Sequence, residues 1–138
     1  MKDIRKRAST PQLPSALACG LLEDGERALF LAKKNALGEE MLEIPCMEVM
    51  AGENPVAALS AAFRAQTGMD AEVHEIIFQR RHNIGTRKRR AFIPALVFKL
   101  TSKSHAVRPS PEFCGYRWLS PGDMAGKKLS RKSEWLRQ

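Results

Sequence analysis

The residues with the clearest chemical potential in this chain are cations. The run Arg80-Arg81-His82-Asn83-Ile84-Gly85-Thr86-Arg87-Lys88-Arg89-Arg90 carries six full positive charges. Like charges crowded on one loop repel each other, which costs stability unless an anion lies near. Lys and Arg contacts to phosphate supply sequence-independent, salt-sensitive affinity. Arg81, Arg87, Lys88 and Arg89 are therefore candidate phosphate ligands, with a solvated charged turn as the alternative. No aromatic residue interleaves the run, so a base-stacking platform is not indicated. Lys33 and Lys34 close an apolar run and form a second basic point. The net charge of +8 and pI of about 9.8 favour polyanionic partners: nucleotides, RNA, DNA or an anionic surface.

Other chemistries find little support. Cys19, Cys46 and Cys114 are far apart, with no CxxC or Cys/His ligand spacing, and read as reduced, small apolar residues. His74, His82 and His105 sit on separate elements without a metal partner at usable spacing. No P-loop or dinucleotide glycine pattern is present.

The elements that must position these residues can be read in order. Leu17–Leu22 and Ala28–Lys33 are apolar strands around Glu23-Asp24-Gly25-Glu26, and Asp-Gly between apolar runs signals a hairpin. Asn35–Glu43 reads as a polar loop. Leu42–Met69 reads as a short strand, a loop and one strongly specified helix. Asn54 suits the cap, Pro55 the first turn, the alanines the body and Gly68 a left-handed stop. Leu59 and Phe63 form its core stripe. Ala71–Gln79 reads as a strand with Val73, Ile76 and Ile77 inward. The basic run is then a hairpin tip, and Ala91–Leu100 the return strand, with an edge or bulge at Pro94. After a loop over Thr101–Pro111, Tyr116–Leu119 is a short strand. Ser120-Pro121 opens a helical region, and Leu129 and Trp135-Leu136 pack a basic, amphipathic tail onto the body.

The stretch LEIPCMEVMAGENPVAALSAAFRAQTGM resembles the Nudix (MutT-like) family, whose signature is G-x5-E-x7-R-E-U-x-E-E-x-G-U. Pro45, Val49, Gly52, Glu53, Pro55, Ala58, Phe63, Thr67, Gly68 and Met69 fall where the family has like residues. Glu112, Trp118, Ser120 and Pro121 resemble the segment that ends many such domains. The resemblance covers about Ser15 to Pro121. It implies an α/β fold, an α/β/α sandwich around a mixed β-sheet, with a nucleotide-sized cleft between the first hairpin and the box helix. It also implies that Lys33 and Lys34 sit where the family often meets substrate phosphates.

The family's chemical residues are mostly gone. Its Arg-Glu is Ala61-Ala62 here, its Glu-Glu is Ala65-Gln66, and Cys46-Met47 follow Pro45 in place of glycines. Positions 62, 65 and 66 share one side of the helix. In the family that side holds Mg2+ or Mn2+ with carboxylates, as hard cations require. Glu53 alone remains, with Glu112 a weak spare and Glu39, Glu40, Glu43 and Glu48 the nearby acids. The implied reading is a degenerate box that lacks metal-dependent pyrophosphohydrolysis, needs no cofactor and binds nucleotide or nucleic-acid phosphate. One alternative is an active hydrolase that cleaves a nucleoside diphosphate linked to another moiety, using Mg2+ or Mn2+ on displaced carboxylates. The other is a protein-interaction module.

A chain of 138 residues accommodates one domain with a real core. A flexible basic leader is expected over residues 1–14 and a Nudix-like domain over 15–138. No apolar run approaches the ~20 residues that span a bilayer, and no signal-peptide form is present. A cytoplasmic protein, with a homodimer open as an arrangement, is the expectation.

Overall fold

The computed structural model describes residues 12–138. All but the last three residues of the expected leader lie outside the described residues. The elements are β1 (Ala16–Asp24), β2 (Arg27–Lys34), β3 (Glu40–Glu43), β4 (Cys46–Val49), helix α1 (Pro55–Thr67), β5 (Glu72–Asn83), β6 (Phe92–Thr101) and β7 (Gly115–Leu119). Two short 3-10 helices follow, Pro121–Met124 and Arg131–Arg137.

The seven strands form one sheet that divides at β1. Ala16–Cys19 pair antiparallel with β4, and Leu17–Leu22 pair parallel with β6. With β5 antiparallel to β6, this makes a mixed arm in the order β4-β1-β6-β5. The last two residues of β1, Glu23 and Asp24, pair instead with β2. Gly25 (φ 64°) and Glu26 make the turn, as the Asp-Gly signal predicts. β2 then carries an antiparallel arm, β3-β2-β7.

Both faces of the mixed arm are covered, which explains the unbroken apolar run in β1. Ala16, Ala18 and Leu22 face a core shared with Leu59 and Phe63 of α1. Leu17 and Cys19 face a second core with Phe30, Ile44, Leu129 and Trp135. Helix α1 is built as its sequence indicates. The Asn54 side chain accepts from the backbone N–H of Val56 (2.9 Å) and Ala57 (3.3 Å), and Gly68 ends the helix at φ 72°. No helix of the described residues is long and apolar enough to cross a membrane.

Several expectations are corrected. Glu40–Glu43 is a strand, because Met41 and Leu42 pair with Lys33 and Ala32 of β2. The acidic loop is correspondingly shorter. β5 extends to Asn83, so Arg80 and Arg81 are strand residues and only the end of the basic run is a tip. Ile76 and Ile77 are not core: they are 47% and 39% exposed. Two register shifts, between Val73 and Ile76 and between Ile76 and Phe78, twist this stretch of an edge strand away from a clean inward alternation. Pro94 sits one residue before β6 meets β1, so its missing N–H costs no bond there. At the first 3-10 helix the usual cap is reversed. The Asp123 carboxylate accepts from the Ser120 N–H and hydroxyl, both at 2.9 Å, and these bonds hold its pKa below the ordinary value.

The C-terminal segment completes the second core. Leu42 donates its N–H to Lys128 O, and Ser130 donates to Leu42 O, both at 2.8 Å. The buried Ser133 hydroxyl accepts from Ile44 N at 3.1 Å. These bonds seat Trp135 against the apolar face of the mixed arm. Trp135→Ala is expected to lower stability by about 3 to 5 kcal/mol, read by chemical denaturation, because it empties a large, fully enclosed side-chain site.

Candidate functional site

The helix side that would carry cation ligands is visible in full. Ala65 is exposed, Ala62 is half-buried, and Gln66 turns toward β4. Gln66 Nε2 donates to Cys46 O at 2.9 Å. Its Oε1 is buried without a hydrogen-bond partner among the described residues. Two methyl groups and one neutral carbonyl are a donor set that does not fit Mg2+ or Mn2+. Among the described residues, no group of three or more His, Cys, Asp or Glu side chains is placed to hold a metal.

Each nearby acid has other work or another place. Glu53 Oε1 accepts from Met50 N at 2.8 Å, while Glu53 N donates to Met50 O at 3.1 Å, so this carboxylate closes the loop that launches α1. Glu112 accepts from the Ser110 hydroxyl at 3.2 Å. Glu39 pairs with Lys128, and Glu40 with Arg117. Glu48 lies on β4 between Met47, which packs toward α1, and Val49. Strand alternation therefore puts it on the Cys46 face, away from α1. Glu43 is buried, where it accepts from the Ser130 hydroxyl at 2.8 Å and pairs with Lys33 at 3.4 Å.

The two basic points identified in the sequence are separate. Lys33 is committed to Glu43 and lies over the Phe113 ring, 5.2 Å from its centre. Lys34 is exposed and stands opposite Glu40 on β3. The hairpin cations instead gather at the far end of β5 and β6. Asn83 organises the tip: its Oδ1 accepts from Gly85 N (2.9 Å) and Ala91 N (3.0 Å), and its Nδ2 donates to Thr86 O (3.2 Å). Thr86 Oγ1 accepts from Arg89 N at 2.9 Å. Arg87, Lys88, Arg89 and Arg90 are thus exposed on a closed turn. At its base, Arg81 stacks on Phe92 at 4.0 Å and Arg80 on Phe78 at 4.7 Å. Among the described residues, none of these six cations has a carboxylate within 4.0 Å.

The sequence reading missed two cations that join this group. Arg131 Nη2 donates to Asn83 O at 3.4 Å, and Lys132 follows it. The basic, amphipathic tail was the available signal. The tail's final residue reinforces the same corner: Gln138 Oε1 accepts from Arg81 N at 3.3 Å and its Nε2 donates to Arg81 O at 2.8 Å. A larger cleft, about 610 Å3, lies elsewhere, between Gly68–Glu72 and Thr101–Ser104. Its charged lining is mixed, Asp70 and Glu72 with Lys103, and Asp70 already pairs with Arg64 at 3.4 Å.

No family model matches this chain, and neither does any curated protein sequence. Solved structures do match. A UDP-X diphosphatase superposes with a TM-score of 0.71 at 14% identity, over 99% of this chain and 64% of that one. The chain therefore spans about two thirds of that protein's length. The MutT protein from Methanosarcina mazei Go1 gives a TM-score of 0.70 at 16% identity, over 94% and 91%. The NUDIX domain of Shewanella oneidensis NrtR, complexed with ADP ribose, gives 0.62 at 10% identity, over 99% and 94%. The chain has the Nudix fold. Helix α1 is the helix whose sequence resembles the Nudix box, and Glu53 lies in the loop just before its cap, Asn54. The Lys33–Glu43 pair lies on the first hairpin and the strand beside it.

Two measurements separate the roles of these residues. Lys33→Met strands a buried carboxylate and is expected to cost about 1 to 3 kcal/mol, less than a fully enclosed pair because Lys33 is 31% exposed. Lys34→Met should leave the denaturation midpoint nearly unchanged. His82 is buried, and desolvation first, then the Arg131 charge, lowers its pKa from the ordinary imidazole value. The unfolded chain then binds the proton more readily, so His82 favours folding fully only above the ordinary value, and its contribution falls as pH drops below it. The wild type should lose more stability between pH 7 and pH 5 than His82→Gln does.

Proposed function

We propose that this protein binds the phosphates of a nucleotide or nucleic acid on a Nudix scaffold and does not hydrolyse a diphosphate. The observation that carries this reading is the segregation of charge. Lys33, Arg117 and Lys128 are paired with acids, whereas among the described residues the hairpin cations and Arg131 and Lys132 are not. Unpaired cations held on a closed turn gain from a polyanion what they lose by mutual repulsion. Arg81, Arg87, Lys88 and Arg89 make the phosphate contacts, with Lys34 a separate contact on the first hairpin and Lys33 held back by Glu43. The NrtR domain that shares this fold is complexed with ADP ribose, which supports a nucleotide-sized ligand. Residues 15–138 act as one domain, in the cytoplasm.

The loss of hydrolysis rests on the acids. The box positions are Ala62, Ala65 and Gln66, and Glu53 and Glu112 already hold backbone or hydroxyl donors of their own loops. A metal that polarises phosphate and activates water is worth several kcal/mol of barrier, and these residues give it no anionic seat.

Binding of a labelled single-stranded RNA and of ADP ribose, followed across a salt series, tests the proposal. Affinity should fall steeply with salt. Arg87→Gln, Lys88→Gln and Arg89→Gln together should flatten the RNA slope by about 0.7 per contact removed. The absence of salt-sensitive binding would refute the phosphate reading. Phosphate release with Mg2+ or Mn2+ from a panel of nucleoside diphosphate derivatives, abolished by Glu53→Gln, would refute the non-hydrolytic reading and favour displaced carboxylates.

A further inference from the structure

A cleft of about 300 Å3 opens between the end of β5, β4 and the C-terminal 3-10 helix. His82, the one buried residue of β5, is part of its lining. Arg131 and Lys132 line it from the helix, Asn83 from the strand end, and Glu48 from β4, with Leu13 and Pro14 at the side. A smaller cleft of about 110 Å3 shares His82, Asn83 and Arg131 and adds Arg81. The bond from Arg131 to Asn83 O holds the guanidinium at this place and leaves its other N–H groups for a ligand. Neither Arg131 nor Lys132 nor Glu48 has an oppositely charged side chain within 4.0 Å among the described residues.

This arrangement has a polarity. In the larger of the two clefts Arg131 and Lys132 share the lining with a buried imidazole and one acceptor-only carboxylate, Glu48, while Glu134 lines the smaller one. A dianionic phosphate satisfies the cations through charge-assisted bonds. A carboxylate in the same cleft repels a second anionic group and accepts from hydroxyl or amino donors. One phosphate monoester attached to a donor-bearing body fits both demands. The volume is at the lower end of the range for small-molecule sites, about 300 to 1,000 Å3, and suits a single nucleotide unit.

We propose that this cleft binds the terminal phosphate of a nucleotide, with Arg131 and Lys132 on the phosphate and Glu48 accepting from the nucleoside. The inference deepens the phosphate-binding reading and rests on it. It places the ligand on the face of the mixed arm opposite α1, away from the box helix. His82 couples binding to protons. The groups facing it are Arg131, Lys132 and Glu134 from the helix, Glu48 from β4, and Arg81 and Asn83 on or beside its own strand position. An incoming dianion stabilises the imidazolium, so binding takes up a proton.

Titration of the whole protein with AMP and with adenosine, by calorimetry in buffers of differing ionisation enthalpy, tests the cleft. AMP should bind at least about tenfold more tightly than adenosine and take up a proton, and the uptake should vanish in His82→Gln. Arg131→Gln with Lys132→Gln should weaken AMP by about tenfold or more with an unchanged melting temperature, and Arg131→Lys should restore part of it. Competition by RNA carrying a 5′-phosphate, but not by the same RNA without it, would identify a strand end as the source of the phosphate. Competition by neither leaves a free nucleotide as the ligand. Equal binding of AMP and adenosine, or full AMP affinity in the double variant, overturns the cleft. If the hairpin triple variant loses RNA binding while the double variant keeps AMP, the phosphate reading stands and the cleft alone is wrong. If the wild type binds neither AMP nor RNA, both fall.

Discussion

Strand β1 has to satisfy neighbours on both edges and both faces. β4 and β6 bond its edges, α1 covers one face, and the β2 arm with the C-terminal segment covers the other. That demand explains its small residues. A side chain at Gly20 would run into Leu100 on β6, and Ala16 and Ala18 leave room for the α1 face. It also determines what lies downstream. β4 is held to β1 over Cys46–Val49, so the loop closed by Glu53 and Met50 begins at a defined point and delivers Asn54 to the helix start. At its other end, β1 passes to β2 through Gly25 and thereby places the antiparallel arm on which Lys33 meets Glu43.

Charge follows from the same framework. The C-terminal segment docks along β3, and the contacts that hold it there use the nearby acids. Glu39 meets Lys128, and Glu43 meets Ser130 and Lys33, while Glu40 on the same strand meets Arg117 from β7. The exposed pairs, Glu39–Lys128 and Glu40–Arg117, contribute about 0 to 1 kcal/mol each. Their larger consequence is distribution. Acids used on the β2 arm are not available to the hairpin, whose six cations have no carboxylate within 4.0 Å among the described residues. The Asn83 bonds then keep the hairpin cations on a closed turn, where repulsion would otherwise open it.

Local signals in the sequence were sufficient wherever a residue acts on its own backbone. Asn54, Pro55 and Gly68 delimit α1 as their cap and stop chemistry requires, and Asp24-Gly25 turns the first hairpin. The Nudix-like frame was legible because the spacing of Pro45, Gly52, Pro55 and Gly68 is a backbone property that does not depend on the residues at 62, 65 and 66. Long-range effects were not legible. The register shifts in β5 turn Ile76 and Ile77 outward, and no alternation in EVHEIIF announces them. The strand Glu40–Glu43 forms because β2 is beside it, not because four residues with two glutamates favour extension. Arg131 joins the hairpin through a backbone carbonyl about fifty residues away, a contact that charge counting along the chain does not reveal. Lys33 reads in sequence as an open cation, and only burial of Glu43 shows that it is engaged.

Helix α1 holds to the sheet without acids at positions 62, 65 and 66. Carboxylates three and four residues apart on one side of a helix repel each other, and a bound cation is what offsets that repulsion. With Ala62, Ala65 and Gln66 in their place there is nothing to offset. Alanine has the highest helix propensity, and Gln66 gains a direct bond to the Cys46 carbonyl that ties α1 to β4 without a metal between them. Among the described residues Gln66 Oε1 has no hydrogen-bond partner, and as a neutral acceptor it costs far less to bury than a carboxylate would. The helix is therefore self-sufficient in its present form. Glutamates placed at 62 and 65 would introduce that repulsion while Gln66 keeps its amide on the Cys46 carbonyl, so a cation seat on this side of the helix requires releasing the contact that ties α1 to β4.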